Sequence, residues 1–381
     1  MTADPRDWIA VAALPSLGPA SIKTLWEKGW TPEKLLNAPL IEWQRLGLKQ
    51  KTIDALCEYQ SSSQGLVHQA IDTALQWQAS FDDAYILPIT DSDYPQLLRE
   101  IYDPPPILFV RGNVQALNLP QIAIVGSRNA SVSGLKQAYG FALEFAKNGV
   151  VVNSGLALGV DAAAHRACID IEKPTVAVFG TGIDRIYPAR NRSLAVDILR
   201  NGGAWVSEFF LGSPPIAAHF PKRNRLISGM SVGVLVVEAA PKSGSLITAR
   251  MAMEHGREVF ALPGPLNNPL SRGCHLLIKE GAVLVETAQE MIDQLASLLG
   301  YYLNEEFDQN RGSPDNSAQS NLLVELSGAE SRVLEQIGYE VCCIDELSVQ
   351  SGLSIAELSQ LLVSMELKGV IEQREGGYIK C

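Results

Sequence analysis

One pattern is repeated along residues 121–285: an apolar run, a glycine-rich turn, and then a stretch of helical periodicity. Several of the apolar runs are almost pure Val, Ile and Ala, which is typical of parallel strands buried on both faces. Alternation of such strands with helices predicts an extended, doubly wound, Rossmann-like α/β sheet. Because right-handed crossovers bring the carboxyl end of every strand to one edge, the glycine turns should gather there. The predicted strands are 122–126, 150–155, 175–180, 204–208, 232–238, 258–264 and 282–285.

Other segments surround this pattern. Residues 1–75 have helical periodicity, and the turn Ser16-Leu17-Gly18-Pro19 predicts a SAM-like or helix-hairpin-helix-like domain, either structural or in contact with DNA. The Rossmann-like domain is predicted over residues 85–300. A polar, turn-rich linker is expected at residues 303–321. Residues 322–381 contain three helical stretches, 330–338, 344–351 and 354–368, and then a hairpin pattern at 369–380, which predicts a winged-helix-like domain.

The composition argues against several classes of protein. No run of the 381-residue chain reaches the roughly 18 consecutive apolar residues that span a bilayer. The N-terminal segment lacks the apolar stretch of a secretion signal. The six cysteines are scattered without the spacing of metal ligands, and we expect reduced thiols. The sequence therefore predicts a cytoplasmic protein with no membrane association and no metal site.

The charge of the chain is unevenly distributed. The net charge is −11, yet residues 122–285 contain 17 basic and 11 acidic side chains. A basic middle between acidic ends predicts one face that binds a polyanion, although some of these cations are expected to be ordinary solvated charges.

Five glycine-rich or basic turns at the predicted strand ends carry groups suited to phosphate. Glycine allows phosphate oxygens to approach the backbone, hydroxyls donate hydrogen bonds, and arginine can hold two oxygens at once. A single such turn is more often structural than functional, whereas five at one edge indicate a site. The candidate phosphate-binding residues are Gly126, Ser127, Arg128, Gly155, Gly180, Gly182, Arg190, Asn191, Lys222, Arg223, Asn224, Arg225, Lys242, Ser243, Gly244 and Ser245.

The most basic of these segments is FPKRNRLISG, residues 220–229, which precedes a short helical run. Free backbone N–H groups and the positive end of the helix dipole would add to its cations in holding phosphate. Phe210 and Phe220 lie nearby in sequence and are candidates for stacking on unpaired bases, with core packing as the alternative.

Motifs for nucleotide cofactors are missing from the sequence. There is no G-x-G-x-x-G with a downstream acidic residue, which argues against a dinucleotide, and no G-x-x-x-x-G-K-[ST], which argues against ATP hydrolysis. We therefore expect no cofactor. Asp161 and His165 are spaced to pair on one helix face, but a structural histidine is the favoured interpretation.

One enzymatic alternative stays open at this point. Glu238 ends a predicted strand and could act as a general base, with Gly244 and Thr248 nearby in sequence. Related Rossmann-like folds use a glutamate beside a glycine turn to cleave the N-glycosidic bond of nucleotides. A nucleotide N-glycosidase-like hydrolase is thus the alternative function.

Several longer motifs resemble the DprA/Smf family of DNA-processing proteins. The resemblance covers about residues 94–285, and the two terminal segments match optional modules of the family more loosely. The motifs are YPxxLxxIxDPPPxLFxxGN (94–113), GSR (126–128), SGLAxGxDxxAH (154–165), GTGxDxxYPxxN (180–191), FPxRNRxISG (220–229), VVEAxxxSGSLITAxxA (236–252), GRxVFALPG (256–264) and LIxxGA (277–282).

The resemblance implies a Rossmann-like protein that binds single-stranded DNA without sequence preference and has no catalytic residue. It also implies a homodimer that protects incoming DNA and loads a RecA-type recombinase during natural transformation. By motif match, the residues that would contact the DNA backbone are Arg128, Lys222, Arg223 and Arg225.

The roles of three segments stay open. The turn Gly273-Cys274-His275 departs from the asparagine that the family often has there. Leu277 and Ile278 are candidates for the dimer contact, with core packing as the alternative. The third helical stretch of the predicted winged helix carries two glutamates and a single lysine, Lys368, which favours a protein contact or support of the dimer over contact with a DNA groove.

Overall fold

The computed structural model describes residues 4–300 except 297, then 342–351, 371–374, 377–380 and ten single positions between 333 and 365. The chain divides into two compact units, residues 1–311 and residues 312–381. Within the described residues, no helix is long and apolar enough to cross a membrane. The predicted linker at 303–321 lies outside the described residues.

Six helices form the N-terminal part of the larger unit. The predicted helix, turn and helix around Gly18 are present. Trp8 and Trp26 pack edge to face, with their ring centroids 6.0 Å apart, and Trp8 and Trp43 are fully buried. The helices are α1 (Pro5–Ala13), α2 (Pro19–Glu27), α3 (Pro32–Leu36), α4 (Leu40–Arg45), α5 (Gln50–Ser61) and α6 (Leu66–Ala79).

Nine strands form a single mixed sheet, which includes all seven predicted strands. These seven pair in parallel, and an antiparallel hairpin extends the sheet at one edge. The apolar run ILFVRG predicts the second strand of that hairpin, whereas the first strand was not predicted from the sequence. The strands are β1 (Ala84–Pro88), β2 (Ile107–Gly112), β3 (Gln121–Val125), β4 (Val151–Ser154), β5 (Thr175–Val178), β6 (Ala204–Ser207), β7 (Gly233–Val236), β8 (Glu258–Ala261) and β9 (Val283–Leu284).

Helices cover both faces of this sheet, as the doubly wound prediction requires. In β3, Ile122 and Ile124 join the hydrophobic cluster on one face, while Ala123 and Val125 join the cluster on the other. Burial on both faces explains why these strands are continuously apolar. The helices are α7 (Gln96–Glu100), α8 (Val132–Lys147), α9 (Val160–Ile169), α10 (Arg192–Arg200), α11 (His219–Gly229), α12 (Gly244–Glu254), α13 (Arg272–Lys279) and α14 (Ala288–Gln294).

The strand order fixes where a ligand site can form. The order is β1-β2-β6-β5-β4-β3-β7-β8-β9, so the chain builds outward from β3 in one direction and from β7 in the other. The two strands are hydrogen-bonded neighbours, and the connections that leave their carboxyl ends diverge. This is the topological switch point, where open α/β sheets form their ligand crevice.

The smaller unit is described in part. A helix, α15 (Ile344–Ser351), and an antiparallel hairpin of β10 (Ile371–Arg374) and β11 (Gly377–Lys380) are present where the sequence predicts them. Its core is built from Val333, Ile337, Leu347, Leu358, Leu362, Met365 and Ile371. Most residues of the other two predicted helices lie outside the described residues.

Candidate nucleic-acid interface

A groove opens at the carboxyl edge of the sheet, at the switch point between β3 and β7. Its volume is about 740 Å³. Its wall combines the turns after β3, β4 and β7 with the first turns of α11. The sequence candidates that line it are Gly126, Ser127, Arg128, Phe220, Arg223, Asn224, Ser243, Gly244 and Ser245.

The turn after β3 lies against the first turn of α9. The N–H of Val160 donates to the carbonyl of Ser127 at 3.2 Å. A Cβ at Gly126 would lie 2.6 Å from the Val160 side chain, so only glycine lets the turn approach the helix this closely. Arg128 follows with an exposed side chain that makes no ion pair with any described residue. The turn thus presents a free guanidinium at the mouth of the groove.

Buried polar side chains hold the turn after β4, residues 155–159. Asp161 accepts from the N–H groups of Gly155 (3.1 Å) and Ala157 (3.2 Å). Asn191, which is 3% exposed, donates to the carbonyls of Leu156 (2.8 Å) and Ala157 (3.1 Å). The predicted phosphate contacts at Gly155 and Asn191 are therefore corrected, because both residues are buried within the wall of the groove.

Arg223 is the third support of this turn. Its guanidinium donates to the carbonyl of Gly155 at 2.7 Å and to that of Val178, and only 5% of the residue is exposed. Burial lowers the pKa of Arg223 to about 10, and the Asp161 carboxylate opposes this shift. Arg223 therefore ties the ends of β4 and β5 together, and its expected contact with the DNA backbone stays a prediction, since the small exposed part of the residue lines the groove.

The Arg225 side chain also pairs with groups inside the protein. It pairs with Glu208 and with Asp103, whose Oδ2 lies 3.3 Å from its Nε, and it donates to the Asp103 carbonyl at 2.6 Å. Its side chain is 8% exposed. Lys222, on the same helix, is exposed and makes no ion pair with a described residue. Arg225 is therefore a structural residue in this fold, which corrects the DNA contact expected of it. The DNA contact expected of Lys222 stays a prediction.

The turn after β7 brings the N-terminus of α12 to the groove. Ser243 caps the helix by accepting from the Ser245 N–H at 3.1 Å. Asn224 of α11 lies over this end and donates to the carbonyl of Gly244 at 3.4 Å. Gly244 and Lys242 are exposed, and a Cβ at Gly244 would meet no other atom within 4 Å. This end of α12 has the geometry of an anion site.

Aromatic side chains form one wall of the groove. The rings of Phe220 and Tyr187 are 5.5 Å apart, and the Arg128 guanidinium lies 5.8 Å from the Phe220 ring. Both rings line the groove. Phe210 instead packs edge to face on Phe109 at 5.5 Å, against the hydrophobic core. Of the two candidates for base stacking, only Phe220 is at the groove.

The two glycines after β5, Gly180 and Gly182, make room for neighbouring groups. A Cβ at Gly180 would lie 2.8 Å from the Phe220 ring, so this glycine makes room for the aromatic wall. A Cβ at Gly182 would lie 2.7 Å from the carbonyl oxygen of Phe210. Neither glycine lines the groove, and their predicted contact with phosphate is corrected to support of its wall.

Two family models match the chain. The model of DNA recombination-mediator protein A matches residues 85–296, and that of the DprA winged helix domain matches residues 317–377. The chain belongs to the DprA family. The first match starts within β1 and extends past β9, and the second confirms the winged-helix prediction for the smaller unit.

Individual DprA relatives agree with this assignment. Protein Smf of Escherichia coli is 41% identical over 82% of this chain and 81% of its own length. The crystal structure of DNA processing protein A from Streptococcus pneumoniae covers 77% of this chain and 98% of its own, with a TM-score of 0.65 and 36% identity. A solved structure of DNA processing protein A from Helicobacter pylori, described for its single-stranded DNA binding mode, covers 58% of this chain and 98% of its own, with a TM-score of 0.52 and 32% identity.

Glu238 is the general-base candidate of the alternative hydrolase, and in this DprA-family chain its carboxylate accepts hydrogen bonds from within the protein. It accepts from the N–H of Ser131 at 2.8 Å and from its hydroxyl at 2.7 Å, at the start of α8. A Cβ at Gly134 would lie 2.5 Å from the Glu238 carboxyl carbon. The residue is 6% exposed and does not line the groove. Its geometry fits an anchor for α8 rather than a base acting on a bound nucleotide.

His165 is a structural residue of the DprA-family fold. It does not hydrogen-bond Asp161, as one interpretation of the sequence allowed; instead its Nδ1 lies 2.8 Å from the hydroxyl of Thr175. The Thr175 hydroxyl donates to the carbonyl of Val152 at 2.6 Å, so it accepts from His165. Burial lowers the pKa of His165 to about 3 from the usual 6.5, an effect that Arg223 reinforces.

Replacement of His165 by asparagine is expected to make the free energy of unfolding fall less steeply as the pH is lowered. Between about pH 6.5 and 3 the unfolded chain binds a proton at this residue and the folded chain does not, so stability falls with falling pH by up to about 1.4 kcal/mol per unit. Burial raises the pKa values of Asp161 and Glu208, which act in the opposite direction. Because of these opposing groups, the free energy of unfolding in urea is measured for wild type and variant from pH 7 to 5, and the two are compared. Equal slopes of this free energy against pH would contradict the prediction.

The candidates for a dimer contact lie on α13. Leu277 is 1% exposed and belongs to the core, so the predicted intermolecular contact is corrected for this residue. Ile278 is partly buried against the same core. The preceding turn is structural too: Cys274 is fully buried, and His275 Nε2 lies 3.0 Å from the Gly264 carbonyl. Burial raises the pKa of the Cys274 thiol to about 11.

Proposed function

We propose that this chain binds single-stranded DNA in the groove at the switch point, without sequence preference and without catalysis. The observation that carries the proposal is the meeting of exposed cations, which form no ion pair with the described residues, with a helix N-terminus and an aromatic wall. Arg128 and Lys242 flank the start of α12, and Phe220 lies beside Arg128. Cations and free N–H groups favour phosphate, and aromatic rings favour unpaired bases.

The balance of contacts favours a strand over a free nucleotide. The exposed cations lie on separate segments, after β3, on α11 and before α12, so they suit a chain of phosphates. Among the described residues that line the groove, Asp161 is the single carboxylate, and it is held by backbone N–H groups. Contacts of this kind depend on phosphate and ring faces, which every base presents, and this supports binding without sequence preference.

The cellular role follows from this activity. We infer that the chain protects incoming single strands and helps to load a RecA-type recombinase on them during natural transformation. The description of the family as a recombination mediator and the single-stranded DNA binding of the H. pylori relative support this role. We place it in the cytoplasm, where such a recombinase acts. We also propose a homodimer, and assign the winged helix to a protein contact.

The proposed function is tested by a salt series with purified protein. Binding to a mixed-sequence single strand and to the matching duplex is measured by fluorescence anisotropy at several salt concentrations. We expect tight binding of the single strand, weaker binding of the duplex, and an affinity that falls with salt by a slope of roughly 0.7 per phosphate contact. Equal binding of the two forms, or binding insensitive to salt, would overturn the proposal.

A further inference from the structure

The groove is too small to hold a long strand. Its volume of about 740 Å³ lies within the range of pockets that enclose one drug-sized ligand, roughly 300–1,000 Å³. On this scale it holds on the order of one to three nucleotides. A longer single strand must therefore continue past the mouth of the groove, over a neighbouring surface.

The loop between β5 and α10 carries unpaired arginines beside that mouth. Arg185, Arg190 and Arg192 are all exposed, and none forms an ion pair with a described residue. The loop's only acidic residue, Asp184, accepts hydrogen bonds from the N–H of Gly212 at 3.0 and 3.1 Å. The loop therefore presents net positive charge to solvent.

Both ends of this loop are fixed to the structure that forms the groove. Near its start, the Thr181 hydroxyl donates to the carbonyl of Arg185 at 2.6 Å. Near its end, Asn191 donates to the carbonyl of Ala157, a residue of the groove wall, at 3.1 Å. Between them, Tyr187 lines the groove itself. The arginines are thus held at set positions next to the site.

We propose that this loop, residues 183–192, is an extension of the site along which the strand leaves the groove, with Arg185 and Arg192 contacting the phosphates that follow. The inference rests on the proposed function, because it names the path of the same ligand. It adds two contacts that the phosphate motifs of the sequence did not indicate, since neither arginine lies in a glycine turn at a strand end.

The test compares oligothymidines of roughly 3 and roughly 25 nucleotides: the short strand fits within the groove, and the long strand exceeds the roughly 4–16 nucleotides that single-strand-binding folds commonly cover. The double variant Arg185→Gln/Arg192→Gln is expected to bind the long strand about tenfold more weakly than wild type, with a salt slope smaller by up to about 1.4. Its affinity for the short strand should equal that of wild type. Arg185→Lys/Arg192→Lys should restore most of the lost affinity, because charge is the property required.

A matched control removes two lysines from the opposite edge of the sheet. Lys173 and Lys279 are exposed and precede β5 and β9, at the amino ends of the strands. Lys173→Gln/Lys279→Gln carries the same charge change and should bind both strands as wild type does. If the loop variant also binds the long strand as wild type does, or weakens both lengths equally, the extension is wrong. If wild type binds neither length, the proposed function itself fails.

Discussion

Replacement of Arg225 by alanine is expected to lower the free energy of unfolding by about 3–5 kcal/mol, the usual result of removing one partner of a buried ion pair. The Glu208 side chain, 11% exposed, would lose its cation, and the carbonyl of Asp103 would lose a donor. All six tryptophans lie between residues 8 and 205, so their fluorescence in urea follows the larger unit alone. Unfolding within about 0.5 kcal/mol of wild type would contradict the structural role.

Lys222 provides the matched comparison. It lies three positions away on α11 and is exposed, so Lys222→Ala should change stability by no more than about 0.5 kcal/mol. It should nevertheless weaken binding of all single strands to a similar degree. Two cations of one basic motif are thus expected to affect different quantities: the loss of Arg225 lowers the free energy of unfolding, and the loss of Lys222 weakens DNA binding.

Replacement of Arg128 by alanine is expected to weaken single-stranded DNA binding by about 10–100-fold, since a hydrogen bond from a charged group contributes about 1.5–3 kcal/mol. Combining it with Lys242→Ala should weaken binding further and reduce the salt slope by about 1.4. Both side chains are exposed and pair with no carboxylate in the described part of the chain, so folding should be unaffected. Anisotropy titrations across a salt series measure both quantities.

Arg250 is the control for this pair. It is an exposed cation of α12 that does not line the groove, so Arg250→Ala should leave affinity within about twofold of wild type. If Arg128→Ala and Arg250→Ala reduce affinity equally, general surface charge rather than the groove explains binding.

The positions of the strands and of the site were predictable because they depend on local patterns. Apolar runs identify strands buried on both faces, and glycine turns identify their carboxyl ends, so the gathering of the turns at one edge of the sheet could be predicted, whereas the strand order that makes β3 and β7 neighbours could not. What the pattern could not give is the orientation of each cation. Lys222, Arg223 and Arg225 are adjacent in sequence, yet only Lys222 is exposed.

The partners of the buried arginines explain this limit. Gly155 and Asp103, which accept hydrogen bonds from Arg223 and Arg225, are 68 and 122 positions away along the chain. No local spacing indicates such contacts. The sequence left Leu277 open between a dimer contact and core packing for a related reason, because an apolar residue on a short helix has the same sequence signature in a core as at an interface; its burial favours the core.

The N-terminal helices have a further consequence. They precede the segment matched by the DNA recombination-mediator model, which starts at residue 85, and in sequence they resemble a detachable module. In three dimensions Trp77 of α6 packs on Phe109 of β2 at 5.8 Å, within one continuous hydrophobic cluster. We therefore expect a fragment that starts at residue 85 to expose the apolar side of its first hairpin and to aggregate, a cost that the sequence boundary of the family match does not reveal.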